Sequence, residues 1–146
     1  MSDFRHIAPT FWVSPQISTD DVANAAALGF SLVVNNRPEG ESADQTPGTA
    51  IAAAAQAAGM DYCAIPVTHE GFTPQQVETM NALLAGAEGK VLAYCRSGTR
   101  STFLWALAAA ARGTEPDEIA AAAAAAGYDV SGIRPMLDGL YARACG

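Results

Sequence analysis

The sequence predicts an α/β fold in which a mostly parallel central sheet of four to five strands is flanked by helices. Two observations predict it. Short apolar runs alternate with longer helix-forming stretches, as in strands joined by crossover helices. Alanine, the strongest helix former, supplies 32 of the residues, so helices should be numerous. A length of 146 residues fits one domain covering residues 1–146.

Four strands are expected where short apolar runs end at polar or turn-forming residues. They are residues 11–13, 30–34, 62–67 and 91–94. Six helices, with their caps, are expected at residues 18–28, 48–58, 73–87, 101–111, 114–126 and 134–144. Thr73 should cap the third helix in a capping box with Gln76, and Thr114 should cap the fifth.

The charge balance limits the partners that the protein is expected to have. Eight basic and 15 acidic residues give a net charge of −7, which argues against binding to nucleic acid or to an anionic membrane. The longest apolar run, residues 103–111, is too short to span a bilayer. Residues 1–10 have no apolar signal-peptide core, so we expect a cytoplasmic protein.

The cysteines and histidines do not predict a metal site. Three cysteines cannot complete a disulfide framework, there is no Cys-x-x-Cys pair, and the two histidines are far apart in sequence. We therefore expect neither a bound metal nor a cofactor. Cys63 is expected in the core of a strand, and Cys145 lies near the C-terminus.

The loop at residues 95–100 is the strongest candidate for chemistry. Cys95 follows an apolar strand and faces the start of an apolar helix, where backbone N–H groups and the helix dipole favour a thiolate. Gly98 lets the loop curl so that its amides point inward. Arg100 is placed to hold an oxyanion with its planar guanidinium, and Arg96 adds a second positive charge. We predict Cys95 and Arg100 as catalytic residues.

The predicted substrate-binding residues are those of the same loop and one arginine from another strand end: Arg96, Ser97, Gly98, Thr99, Ser101 and Arg37. For Arg37 the sequence leaves two roles open. It either contacts an anionic substrate, or pairs with Glu39 or Glu41 and only holds its loop.

A phosphatase also needs an acid to protonate its leaving group. His69 and Glu70 follow the strand at residues 62–67 and are the candidates for that acid. An equally good interpretation is that these two residues belong to an ordinary surface loop and have no catalytic role.

Residues 94–101, Tyr-Cys-Arg-Ser-Gly-Thr-Arg-Ser, resemble the active-site loop of rhodanese sulfurtransferases. In that family the cysteine accepts a sulfane sulfur as a persulfide and passes it to a nucleophile. The rhodanese loop has four residues between the cysteine and its final basic residue. The same spacing separates Cys95 from Arg100.

The rest of the chain resembles dual-specificity protein tyrosine phosphatases, which implies their fold. The matching stretches are residues 28–35, 62–67 and 73–77. Phosphatases of that group have five residues between cysteine and arginine, and usually an aspartate after the strand equivalent to residues 65–67. This chain is one residue shorter in the loop and carries His69-Glu70 in the acid region.

Taken together, the sequence is similar to the phosphatase-like domain of beta-lactamase hydrolase-like proteins. The run Asn-Asn-Arg-Pro-Glu-Gly-Glu at residues 35–41, the Ile-Pro-Val run at 65–67 and the loop at residues 92–101 carry this resemblance. It implies a persulfide dioxygenase as a functional partner.

Three functions follow as expectations. The first is a sulfurtransferase that forms a persulfide on Cys95, with thiosulfate or a low-molecular-weight persulfide as donor and a thiol or cyanide as acceptor. The second is a phosphatase that cleaves a phosphate ester through a phosphocysteine. The third is a non-catalytic module that binds anions or senses redox state.

Overall fold

The computed structural model describes residues 2–146 and has a five-stranded sheet at its centre. The strands are β1 (Arg5–Ala8), β2 (Phe11–Ser14), β3 (Phe30–Asn35), β4 (Asp61–Ala64) and β5 (Lys90–Tyr94). Their order across the sheet is β1-β2-β5-β3-β4. All pairs are parallel except β1 with β2, which is antiparallel. The predicted α/β class with a mostly parallel sheet is confirmed.

Strand β1 was not predicted. It holds a single buried apolar residue, Ile7, between charged or exposed neighbours, so it lacks the apolar run on which the prediction depended. The strand forms because it pairs with β2 at the sheet edge, where His6 stacks on Trp12. Edge strands that carry charged side chains give a weak sequence signal.

Six α-helices flank the sheet: α1 (Thr19–Ala27), α2 (Gly48–Ala57), α3 (Pro74–Gly86), α4 (Thr99–Ala111), α5 (Pro116–Ala125) and α6 (Arg134–Cys145). A short 3₁₀ helix, Ser131–Ile133, precedes α6. The capping box of α3 is present as predicted, with Thr73 accepting from the Gln76 amide and Gln76 accepting from Thr73.

Three predicted boundaries were wrong. Glu115 and not Thr114 occupies the N-cap of α5, and Pro116 takes the first helical position. Strand β4 ends at Ala64, because Pro66 has no N–H to continue the ladder. Helix α4 begins at Thr99, two residues earlier than predicted, so Arg100 lies in its first turn.

The sheet separates two hydrophobic clusters because side chains alternate along each strand. On β5, Val91 and Ala93 face the cluster formed with α3 to α6, whereas Leu92 and Tyr94 face the cluster formed with α1 and α2. Helix α4 lies within the first cluster and is buried along most of its length, including its alanines Ala106, Ala108, Ala109 and Ala110. Alanine allows the neighbouring elements to approach this helix closely.

No helix within residues 2–146 is long and apolar enough to cross a bilayer.

Candidate active site

The site is built where β5 and β3 end side by side. Cys95 follows the last residue of β5 and is fully buried. Asn35, the last residue of β3, is in register with Tyr94, and the Asn36 amide donates to the Tyr94 carbonyl at 2.8 Å. Both strands point their carboxyl ends at the same edge of the sheet, which is where open α/β sheets bind ligands.

The Cys95 sulfur is oriented by a backbone amide of its own loop. The Gly98 N–H donates to the sulfur, with 3.1 Å between nitrogen and Sγ. Gly98 is the N-cap of α4 and has φ of +92°, a conformation that glycine adopts without strain. The Thr102 amide and hydroxyl both donate to the Gly98 carbonyl, at 2.9 and 2.8 Å. The start of α4 therefore directs its N–H groups and its dipole toward the cysteine.

Arg100 lies in the first turn of α4 and forms a bidentate ion pair with Glu41. Its two terminal nitrogens donate to the Glu41 carboxylate at 2.7 and 2.9 Å, and one of them also donates to the Val67 carbonyl at 2.9 Å. The hydrogen bonds that Arg100 donates to Glu41, together with the nearby Cys95 sulfur, raise the pKa of Arg100. The guanidinium is thus fixed in orientation beside the cysteine.

Glu41 joins two arginines. Hydrogen bonds from Arg100 first, and then from Arg37, lower the pKa of Glu41 from 4.5 to about 2. A carboxylate between two guanidinium groups remains ionised through the physiological pH range.

The sequence around this site also matches a known protein family. The phosphatase-like domain of beta-lactamase hydrolase-like proteins matches it over residues 3–112. The chain belongs to that family. A beta-lactamase hydrolase-like protein from Xylella fastidiosa (strain Temecula1) is 36% identical over 119 residues, which cover 81% of this chain and 28% of that protein. This phosphatase-like domain therefore spans only 28% of the length of that relative.

Solved structures show the same fold. A protein from Neisseria meningitidis Z2491, provisionally assigned as a phosphatase, has a TM-score of 0.85 and 34% identity, covering 96% of this chain and 99% of that chain. The human tyrosine phosphatase-like serine/threonine/tyrosine-interacting protein has a TM-score of 0.74 at 14% identity, covering 98% of each chain. The expected dual-specificity phosphatase-like fold is confirmed. The family match and the Neisseria protein support an enzyme of the phosphatase-like hydrolase class.

Arg37 of the phosphatase-like domain is buried and surrounded by protein partners. Its three guanidinium nitrogens donate to Glu41 at 2.9 Å, Gln16 at 3.0 Å and Ser42 at 3.1 Å. The structure therefore contains the Glu41 pairing that the sequence left open, whereas Glu39 accepts from the Gly48 amide at 2.7 Å. These bonds show that Arg37 holds Glu41 in place, and a contact of Arg37 with substrate stays a prediction.

Ser101 also serves the framework of the site. Its buried hydroxyl donates to the Asn36 side-chain oxygen at 2.8 Å, and the Asn36 amide group donates to the Ile65 carbonyl at 2.9 Å. This chain of bonds joins α4 to the segments after β3 and β4. Ser101 is fully buried and fixes the position of the loop, and its contact with substrate stays a prediction.

The remaining loop residues, Arg96, Ser97 and Thr99, lie at the surface. Arg96 is exposed, and its carbonyl accepts from the Gln16 amide at 3.2 Å. The Ser97 hydroxyl donates to the Thr99 hydroxyl at 2.9 Å. Arg96 is the loop cation that has no carboxylate partner among the ion pairs of residues 2–146.

His69 and Glu70 lie beside Arg100 at the surface. Together with Arg100 and residues 38–41 and 68 they line an open cavity of about 520 Å³. The structure thus places both candidate acids next to Arg100. Cys95 is fully buried and is not among the residues that line this cavity.

Two residues that shape the site were not singled out from the sequence. Glu41 was considered only as a partner of Arg37, and its pairing with Arg100 spans 59 residues. Tyr128 donates its hydroxyl to the Ser97 carbonyl at 2.9 Å across 31 residues. No local pattern marks either contact, since both depend on how distant segments pack.

The other cysteines are not joined to the site. All three cysteines are free thiols, Cys63 is half-buried in β4, and Cys145 is exposed at the end of α6. Burial raises the pKa of the Cys63 thiol, which disfavours its reactive thiolate. Within residues 2–146 no group of three or more His, Cys, Asp or Glu side chains is placed to hold a metal ion.

Proposed function

We propose that this domain is a cysteine-dependent phosphatase that hydrolyses phosphate monoesters through a phosphocysteine on Cys95. The observation that carries the proposal is the Gly98 N–H bond to the Cys95 sulfur beside a fixed Arg100, on a phosphatase-like fold. A nucleophile, an amide donor and an oriented guanidinium are the groups that phosphoryl transfer through cysteine requires.

The first step transfers the phosphoryl group to the enzyme. The Cys95 thiolate attacks phosphorus, the S–P bond forms, and the bond to the ester oxygen breaks. The leaving oxygen takes a proton from His69 or Glu70, which line the opening beside Arg100. Water then attacks the phosphocysteine and gives a proton back to His69 or Glu70, the S–P bond breaks, and inorganic phosphate leaves with the thiolate restored.

Arg100 stabilises the charge on the transferred group. Its guanidinium donates two parallel N–H bonds to Glu41, so its plane is set before a substrate arrives. Because both terminal nitrogens already bond to Glu41, an incoming oxyanion uses the remaining Nε–H of Arg100 or displaces one of the Glu41 oxygens.

Sulfur transfer is the second candidate, and loop length favours it. Only four residues separate Cys95 from Arg100, so fewer amides surround the sulfur than in a five-residue phosphatase loop. In this reaction Cys95 attacks the sulfane sulfur of thiosulfate, an S–S bond forms, and sulfite leaves. A thiol or cyanide then takes the outer sulfur and restores the thiolate. A persulfide dioxygenase as functional partner belongs to this candidate.

The two candidates leave different groups on the same cysteine. Wild-type protein and Cys95→Ser are incubated separately with an aryl phosphate and with thiosulfate plus cyanide, and product formation and intact mass are measured. We expect aryl phosphate hydrolysis, a trapped phosphoryl adduct on wild type, and neither with Cys95→Ser.

Thiocyanate production with one added sulfur atom, in the absence of phosphate hydrolysis, would replace the phosphatase by the sulfurtransferase. Inactivity with both substrates would leave the third function, a non-catalytic anion-binding or redox module.

A further inference from the structure

We propose that Tyr128 is a positioning residue that fixes the Ser97–Gly98 peptide group so that its N–H points at the Cys95 sulfur. The proposal deepens the proposed function, because it concerns the same nucleophile. Tyr128 lies beyond residues 3–112, the part of the chain that matches the family.

Both ends of one peptide group, between Ser97 and Gly98, are hydrogen-bonded. The Ser97 carbonyl accepts from the Tyr128 hydroxyl at 2.9 Å, and the Gly98 N–H of the same peptide donates to the Cys95 sulfur at 3.1 Å. In a planar trans peptide the C=O and N–H point in opposite directions. A bond that holds the carbonyl therefore also holds the N–H.

The Ser97–Gly98 peptide can adopt a second, flipped orientation, so a stabilising contact is needed to keep it in the observed one. Gly98 has φ of +92°, and glycine populates positive and negative φ about equally, so the peptide before it is free to flip. A flip would turn the Ser97 carbonyl oxygen toward the Cys95 sulfur and remove the N–H donor. An oxygen facing the sulfur would repel a thiolate and an incoming anion.

Tyr128 is suited to act as a fixed donor. The residue is buried between the loop and β1, and burial is the main cause of a raised pKa of its hydroxyl, so the proton stays on the oxygen. Arg5, the first residue of β1, lies over its ring at 5.1 Å from the centroid. A Cβ on Gly98 would meet the Tyr128 hydroxyl, which shows how closely the ring approaches the loop.

The test is Tyr128→Phe, which removes the hydroxyl and keeps the ring. Tyr141→Phe, in α6, is the matched control, since within residues 2–146 Tyr141 makes no hydrogen bond to the loop at residues 95–100. The amide exchange rates of Gly98 and Thr102 are measured by NMR on ¹⁵N-labelled protein, with turnover of the aryl phosphate measured in parallel. In Tyr128→Phe we expect Gly98 exchange to become about tenfold faster and kcat/KM to fall about tenfold, as for the loss of one hydrogen bond.

Thr102 separates a positioning role from general loosening. Its amide donates to the Gly98 carbonyl inside α4, so it should keep its exchange rate in Tyr128→Phe if only the Ser97–Gly98 peptide is released. Equal acceleration at both amides would show a merely structural role, and an unchanged Gly98 rate would overturn the proposal. The exchange measurement needs no substrate, so it decides this proposal even if the wild type hydrolyses no phosphate ester.

Discussion

Two contacts from distant parts of the chain hold the loop at residues 95–100, and they differ in kind. Glu41 holds the Arg100 side chain through a charged, bidentate pair that is partly open to solvent. Tyr128 holds the Ser97 carbonyl through a neutral hydrogen bond from a buried ring. A partly exposed ion pair weakens with salt and acid, whereas a neutral hydrogen bond has no charge for salt to screen or acid to neutralise. The ion pair with Glu41 therefore depends on salt and pH, whereas the hydrogen bond from Tyr128 does not.

Replacing Arg100 by lysine should give the largest effect in this comparison. Arg100→Lys keeps the charge but loses the planar fork that meets Glu41 and an oxyanion. We expect kcat/KM for the aryl phosphate to fall about 100-fold, as when an oriented donor to a developing anion is lost. Activity close to that of the wild type would show that only the charge of Arg100 matters.

Glu41→Gln should have a smaller effect, and one that depends on pH. Near pH 7 we expect a loss of about tenfold in kcat/KM and on the order of 1 kcal/mol in the free energy of unfolding. The folded pKa of Glu41 is about 2 and its ordinary value is 4.5. The contribution of the Glu41 carboxylate to the free energy of unfolding is therefore complete above pH 4.5 and disappears as the pH falls toward 2.

Urea unfolding of wild type and Glu41→Gln at a series of pH values measures that contribution. Glu88→Gln, at an exposed glutamate, is the matched control. If the difference in unfolding free energy between wild type and Glu41→Gln stays constant down to pH 2, the contribution of Glu41 is not ionic.

The smallest effect is expected for Arg5→Gln. The substitution removes the cation above the Tyr128 ring but leaves the hydroxyl bonded to Ser97. A cation–π contact at a partly exposed site contributes about 0.5–1 kcal/mol, so Gly98 amide exchange should accelerate by only about two- to fivefold. An effect as large as that of Tyr128→Phe would show that ring packing, rather than the hydroxyl, controls the loop.

The sequence was informative where structure depends on neighbouring residues. The strand, loop and helix around Cys95 and the capping box at Thr73 follow from local patterns of apolar residues and caps, and both are present. The family resemblance supplied the fold beyond those patterns.

The remaining parts of the site depend on packing between distant segments. Strand β1 forms only because β2 offers a partner, and it then carries Arg5 to the ring of Tyr128. Nothing near Glu41 in the sequence indicates Arg100 as its partner. Contacts of this kind arise from the register of the sheet and from helix packing, which short patterns do not encode.

The buried alanines of α4 carry a consequence for how this domain can vary over evolution. Ala106, Ala108, Ala109 and Ala110 have almost no exposed surface, so a larger side chain at any of them must push a neighbouring element away. Such a displacement would be transmitted along the helix whose first turn holds Arg100. If these four positions are invariant among natural homologues, the cause is the required distance between α4 and its neighbours. It is not contact with a substrate, because all four alanines are buried.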